Sequence, residues 1–140
     1  MPEFSLHERL ARDCITIRDL DLCRLLLMNN SDFPWCILVP RRAGIREIHE
    51  LAEDDQQQLM RESSALSKAM LALFGGDKMN VAVLGNVVPQ LHLHHIVRRS
   101  ADKAWPDPVW GRAPGPPYSE AQLADLRRQL QAPGKDSKGE

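Results

Sequence analysis

An α+β fold, with one antiparallel five-stranded sheet, one long helix and one short helix, is predicted by three features of this 140-residue sequence. Five short runs rich in apolar and β-branched residues are each bounded by turn chemistry, the pattern of strands. A single stretch, from near Asp54 to Phe74, carries apolar residues at helical spacing over several turns. Beyond Arg99 the composition shifts to proline and tryptophan, which sets a C-terminal segment apart from the sheet. The length suits one domain and is enough to bury a core without disulfide or metal staples.

The elements follow in order. In SLHERLAR (5–12), Leu6 and Leu10 share a face and predict a short helix. CITIRDL, with Ile15, Thr16 and Ile17, reads as the first strand, and LCRLLLMN (22–29) as a second, more buried one. NNSDFP is a turn, and WCILVP a third strand ending at Pro40. The second and third strands are expected to pair antiparallel. REIHEL (46–51) suits one or two helical turns. The long helix starts near Asp54, where Asp54 and Gln57 have capping-box spacing. Leu59, Leu66, Met70 and Leu73 form its apolar stripe, and Gly75-Gly76 ends it. KMNVAVL (78–84) is a fourth strand, GNVVP a connection, and QLHLHHIV (90–97) a fifth.

Pro106, Pro108, Pro114, Pro116 and Pro117 exclude a central strand or helix, while Trp105, Val109 and Trp110 predict that this segment packs over the domain. Ser119 to Gln131 predicts a capped surface helix with Leu123, Leu126 and Leu130 as its stripe. Residues 132–140 have the composition of a disordered tail. The expected organisation is a domain over residues 1–111 and a C-terminal extension over 112–140.

A formal net charge of -1 provides no basic field, so neither nucleic acid nor an anionic membrane is an expected partner. Cys14, Cys23 and Cys36 are odd in number and widely spaced. They suggest neither a disulfide framework nor a zinc knuckle, and fit reduced thiols in a cytoplasmic protein. MPEFSLHERLARD has no apolar core of a signal peptide, and no apolar run approaches a membrane span.

Three of the five histidines fall in PQLHLHHIVRR, residues 89–99. On a strand, Gln90, His92, His94 and Ile96 face one way, and Leu91, Leu93, His95 and Val97 the other. His95 therefore points away from the other two. A three-histidine metal site from this run is geometrically poor, and no metal or cofactor is expected. Two adjacent imidazoles on one strand face point instead to chemistry, or to a structural pair with buried partners.

The strand resembles the signature of the histidine triad, or HIT, superfamily: His, apolar, His, apolar, His, then two mostly apolar residues. Here Gln90, Leu91, His92, Leu93, His94, His95 and Ile96 occupy the pattern. LLLMNNSDFPWCILVP resembles the family's nucleoside-binding half, and a long helix and KMNVAVLGN follow in the family's order, so the resemblance spans about residues 14–99. It implies a HIT-like fold and a nucleotide or nucleotide conjugate as ligand. It further implies a hydrolase or nucleotidyl transferase, of phosphoramidase or dinucleoside-polyphosphate hydrolase type, acting at the α-phosphate, and a homodimer.

By the same resemblance His92 is the nucleophile, forming a nucleotidyl-imidazole that water or another acceptor resolves. His94 contacts phosphate oxygens and supplies charge or a proton. Gly85 and Asn86, with Asn80 on the preceding strand, form the phosphate-binding set. Asn29, or Asn30 if the loop is offset, meets the ribose, with plain turn chemistry as the alternative for both. Gln90 replaces the first triad histidine and preserves its backbone carbonyl, which orients the nucleophile. Its amide is a possible donor to phosphate or leaving group, but not a general acid. Many relatives also carry a histidine shortly after the third strand's proline, where this chain has Arg41, Arg42 and Ala43. Proton delivery to a poor leaving group is thus unassigned, and His49 reads as a surface residue. A weak or inactive nucleotide-binding protein of the same fold is the alternative function. Arg41, Arg42, Arg46, Arg98 and Arg99 read either as a positive rim for polyphosphate or, more simply, as separate solvated charges.

Overall fold

A computed structural model describes the backbone of residues 3–138 and the side chains of residues 3–131. Alternating apolar runs build one five-stranded sheet in the order β1-β2-β3-β5-β4. Its strands are β1 (Cys14–Asp19), β2 (Cys23–Met28), β3 (Trp35–Pro40), β4 (Lys78–Val83) and β5 (Leu93–Arg98). Every neighbouring pair is antiparallel. The helices are α1 (Glu8–Asp13), α2 (Glu53–Phe74) and α3 (Glu120–Lys138), with a single 3-10 turn at Ile48–Glu50. The α+β class, the five strands and the β2–β3 pairing agree with the sequence reading. Among the described residues no helix is long and apolar enough to cross a membrane.

Because side chains alternate along each strand, the sheet serves two different coverings. Leu25, Leu27, Cys36, Leu38, Leu93 and Val97 pack against Leu59, Leu66 and Met70 of α2 and Leu126 and Leu130 of α3. Leu26, Trp35, Ile37, Val39 and Ile96 face the opposite way, under Leu10, Phe33, Ala104 and Val109, with Phe4, Leu6 and Trp110 at the margin. One face is therefore sealed by two helices, the other by α1, the N-terminal segment and the loop after β5. β3 is buried at all six positions, which explains its unbroken apolar run. Each leucine so buried contributes about 1.5–3 kcal/mol.

Four local expectations give way to tertiary contacts. The first helix starts at Glu8, not at residue 5. His7, the N-cap, is extended, and the backbone groups of Ser5 and His7 bond the Gln90 side chain. The capping box lies at Glu47 and Glu50 of the 3-10 turn; α2 starts one residue before Asp54 and has no side-chain cap. β5 starts at Leu93, not at residue 90, because β3 pairs with it only as far as the Leu38–Leu93 match. Just upstream, the Leu91 N–H donates instead to the Ile45 carbonyl, at 3.0 Å. The last helix continues to Lys138, past the expected end at Gln131. Leu126 and Leu130 anchor this helix on the sheet, and its backbone stays helical through Pro133 and Gly134 despite their poor helix propensity. The tail expected over 132–140 is thus helical in backbone as far as Lys138, and its last two residues lie outside those described.

Candidate functional site

β5 places its three histidines in two environments. His95 is fully buried on the helical face. Its Nδ1 lies 3.1 Å from the Leu93 carbonyl and its Nε2 2.7 Å from Ser63 Oγ of α2. A carbonyl only accepts, so Nδ1 donates and Nε2 accepts the serine proton. Burial pushes its pKa down to about 4. His95 is a satisfied core residue.

His92 and His94 share the other face, with ring centroids 4.9 Å apart. The Gln90 carbonyl lies 2.7 Å from His92 Nδ1. Nδ1 must donate to it, which leaves the lone pair of the neutral ring on Nε2. The Gln90 carbonyl thus fixes the tautomer of the His92 ring. His94 is held in the opposite sense. The Trp35 indole N–H, which only donates, lies 3.1 Å from its Nδ1. Nδ1 accepts, and the His94 proton sits on Nε2. Two same-face imidazoles thus pair an unprotonated ring nitrogen with a neighbouring N–H donor.

Burial sets the protonation of both. It is the largest cause lowering the His92 pKa, opposed by the bond to Gln90. Burial, then His92 and His95, push His94 down to about 3. Both rings are neutral at pH 7 in the free protein, so His94 brings a hydrogen-bond donor there rather than a charge. Trp110 meets the His94 ring edge-on with centroids 5.1 Å apart, and Trp35 meets Trp110 at 6.0 Å. The two tryptophans wall His94. Sequence reasoning assigned them only to a strand and a covering segment, because nothing local links residues 35, 94 and 110.

The remaining predicted residues divide. Gly85 has φ +84°, so the loop after β4 needs a residue without Cβ there. Asn86 is exposed on that loop, and Val88 packs into the cluster of the His92 face. Asn29 Oδ1 accepts from the Tyr118 N–H at 2.9 Å, tethering the C-terminal segment, while Asn30 Oδ1 closes a turn on the Asp32 N–H at 2.9 Å. Asn80 stands apart from this group: its Oδ1 accepts from Arg98 at 2.8 Å. The Gln90 amide is not free for phosphate either, since its Nε2 donates to the Ser5 carbonyl and its Oε1 accepts from the His7 N–H. His49 is exposed, as expected.

Four of the five candidate rim arginines are engaged in separate contacts. Arg98 is buried in a bidentate pair with Asp102, at 2.8 and 3.1 Å, and donates also to the Asp107 carbonyl. Its guanidinium holds the Asp102 carboxyl well below the usual carboxylate range. That carboxylate accepts in addition from the N–H groups of Arg99, Ala104 and Trp105, which folds the loop after β5 onto the sheet. Arg99 binds the carbonyl end of α2, Arg41 the carbonyls of Leu20 and Asp21, and Arg42 the Asp55 carboxylate. Arg98 is not a solvated charge: the simpler expectation fails for it because only folding brings Asn80, Asp102 and Asp107 around one guanidinium. The three cysteines are free and buried. Among the described residues no group of three or more His, Cys, Asp or Glu side chains is placed to hold a metal.

A five-stranded antiparallel sheet whose penultimate-to-edge strand carries two same-face histidines, one oriented by a carbonyl two residues back, is the architecture of the histidine triad class. The HIT domain model matches residues 9–101, and the chain belongs to that family. Solved structures agree. A histidine triad protein from Marinobacter aquaeolei VT8 is 58% identical, covers 96% of this chain and 98% of its own, and superposes with a TM-score of 0.94. One from Bradyrhizobium japonicum is 44% identical over 93% of this chain and 97% of its own, with a TM-score of 0.90. One from Sinorhizobium meliloti 1021 is 42% identical over 91% and 95%, with a TM-score of 0.89. No curated protein matches the chain.

Proposed function

We propose that the protein hydrolyses or transfers the nucleotidyl group of a nucleotide conjugate, with His92 as nucleophile at the α-phosphorus. The observation that carries this reading is the bond from His92 Nδ1 to the Gln90 carbonyl, which presents the Nε2 lone pair. Attack forms a phosphorus–nitrogen bond and expels the leaving group; water or another acceptor then breaks that bond. His94 donates its Nε2–H to a phosphate oxygen. The N–H groups around Gly85 and Asn86 serve the same phosphate, and the free amide of Asn29 serves the ribose. Turnover of adenosine 5'-phosphoramidate or a diadenosine polyphosphate, with acid-labile phosphohistidine trapped on His92, is the expected result. An enzyme as active after His92→Ala would overturn the proposal.

A second reading, a nucleotide-binding protein with little catalysis, is favoured by one feature: Gln90 replaces a histidine, and its side chain is committed to the N-terminal segment. Saturable AMP binding with no turnover of either substrate would select it.

The same reading includes a homodimer. β4 is an edge of the sheet, and Val81, Val83 and Leu84 on or beside it are exposed, as is Met60 on α2. An edge with apolar side chains is a surface that proteins ordinarily cover. Light scattering at tens of micromolar is expected to give twice the 15.8 kDa chain mass, and Val83→Lys to shift it toward one.

A further inference from the structure

The proposed reaction leaves one role without a residue: contact with the group that departs from phosphorus. The family position after the third strand holds no histidine here, and the Gln90 amide is spent within the protein. Gln90 itself points to the replacement. Its side chain forms a two-point clamp, accepting from the His7 N–H at 2.8 Å and donating to the Ser5 carbonyl at 2.9 Å. Its carbonyl meanwhile holds His92 at 2.7 Å. One residue thus fixes both His92 and a segment more than eighty positions away in sequence.

His7 follows from this clamp. Phe4, Leu6 and Leu10 anchor its segment in the cluster on the His92 face. The Arg9 N–H, a donor only, lies 3.1 Å from His7 Nδ1. Nδ1 therefore accepts, the ring proton sits on Nε2, and that N–H has no protein partner among the described residues. Gln90 ties the two histidines together, holding the His7 backbone through its side chain and the His92 ring through its carbonyl.

We propose that His7 is the third imidazole of the site and that its Nε2–H donates to the oxygen leaving the α-phosphorus. This rests on the reading of His92 as nucleophile. As the His92 Nε2–phosphorus bond forms, the phosphorus–oxygen bond breaks and its electron pair goes to the departing oxygen. His7 hydrogen-bonds the charge developing there, and solvent supplies the proton once the group is free. Water then attacks phosphorus, the electron pair of the phosphorus–nitrogen bond returns to His92, and solvent takes the water proton. A donor of this kind suits oxygen leaving groups, such as the phosphate of an anhydride, more than amines, which must be protonated to depart.

The test is a series of aryl esters of AMP whose phenols span a range of acidity. His7→Ala keeps the backbone N–H that bonds Gln90, so the clamp survives. The expected result is a loss in kcat of about 10²-fold for the least acidic phenol, little loss for p-nitrophenol, and a steeper dependence of rate on leaving-group acidity. His7→Gln, which restores an N–H at similar reach, is expected to recover part of the loss. Equal losses across the series, or none, would show that His7 only shapes the fold and would overturn the proposal. A wild-type chain inert toward every ester would instead remove the His92 reading, and this one with it.

Discussion

His94 and His95 are neighbours in sequence, both buried and both shifted toward neutrality, yet they belong to different kinds of surface. His95 faces two helices, and both its nitrogens have partners there, Ser63 and the Leu93 carbonyl. His94 faces loops; Trp35 occupies one nitrogen, and the other has no protein partner among the described residues. The difference teaches that burial alone does not distinguish a core histidine from one open to a ligand. What distinguishes them is whether every ring nitrogen is satisfied by the fold. A helix brings a continuous, close-fitting wall, whereas loops held by a few polar anchors can leave a nitrogen facing a ligand.

The sharpest test of this contrast exchanges chemistry for stability between the faces. His92→Ala is expected to abolish turnover in a single-turnover assay while AMP affinity stays within about tenfold, or about 1.4 kcal/mol. Gln90→Ala is expected to cost less than His92→Ala, because any residue supplies the carbonyl, and Gln90→His to be tolerated. If Gln90→Ala is as damaging as His92→Ala, the clamp on the N-terminal segment matters more than the carbonyl.

Arg98→Ala tests what holds the loop covering. It leaves Asp102 buried without its partner and is expected to destabilise by about 3–5 kcal/mol in urea unfolding. Loss of Trp110 packing against His94 should accompany it, read by tryptophan fluorescence. His95→Leu, on the helical face, leaves Ser63 without its acceptor and is expected to cost about 1–3 kcal/mol with site chemistry retained. A His95→Leu chain that is stable but inactive would break the division between faces.

The pH dependence of stability tests both faces together. His94 and His95 have folded pKa values of about 3 and about 4, below the ordinary histidine value. The unfolded chain therefore binds more protons than the folded one between those values and about 6.5. Stability is fully present above that window and falls on acidification through it, by at most about 1.4 kcal/mol per pH unit for each group. Urea midpoints from pH 7 to 4 should show this slope, and His95→Gln should flatten it. The acid limb of kcat/KM should likewise lie below the ordinary histidine range, because His92 is neutral until lower pH.

Much of this was legible from sequence because it depends on local pattern. Period-two alternation put His92 and His94 on one face and His95 on the other, and the structure keeps that division although β5 itself starts only at Leu93. Strand runs, the helix ended by Gly75 and the turn at Asn30 are decided by neighbours within a few residues, so they could be read from the order of residues alone. Tertiary structure decided everything that joins distant positions. It assigned Asn80 to Arg98, turned Asn29 toward Tyr118, and brought Trp35 and Trp110 to His94. It also laid His7 against Gln90 across the sheet. Side-chain hydrogen bonds act over about 3 Å and carry no trace in local periodicity. Only the folded path of the chain says which donor meets which acceptor.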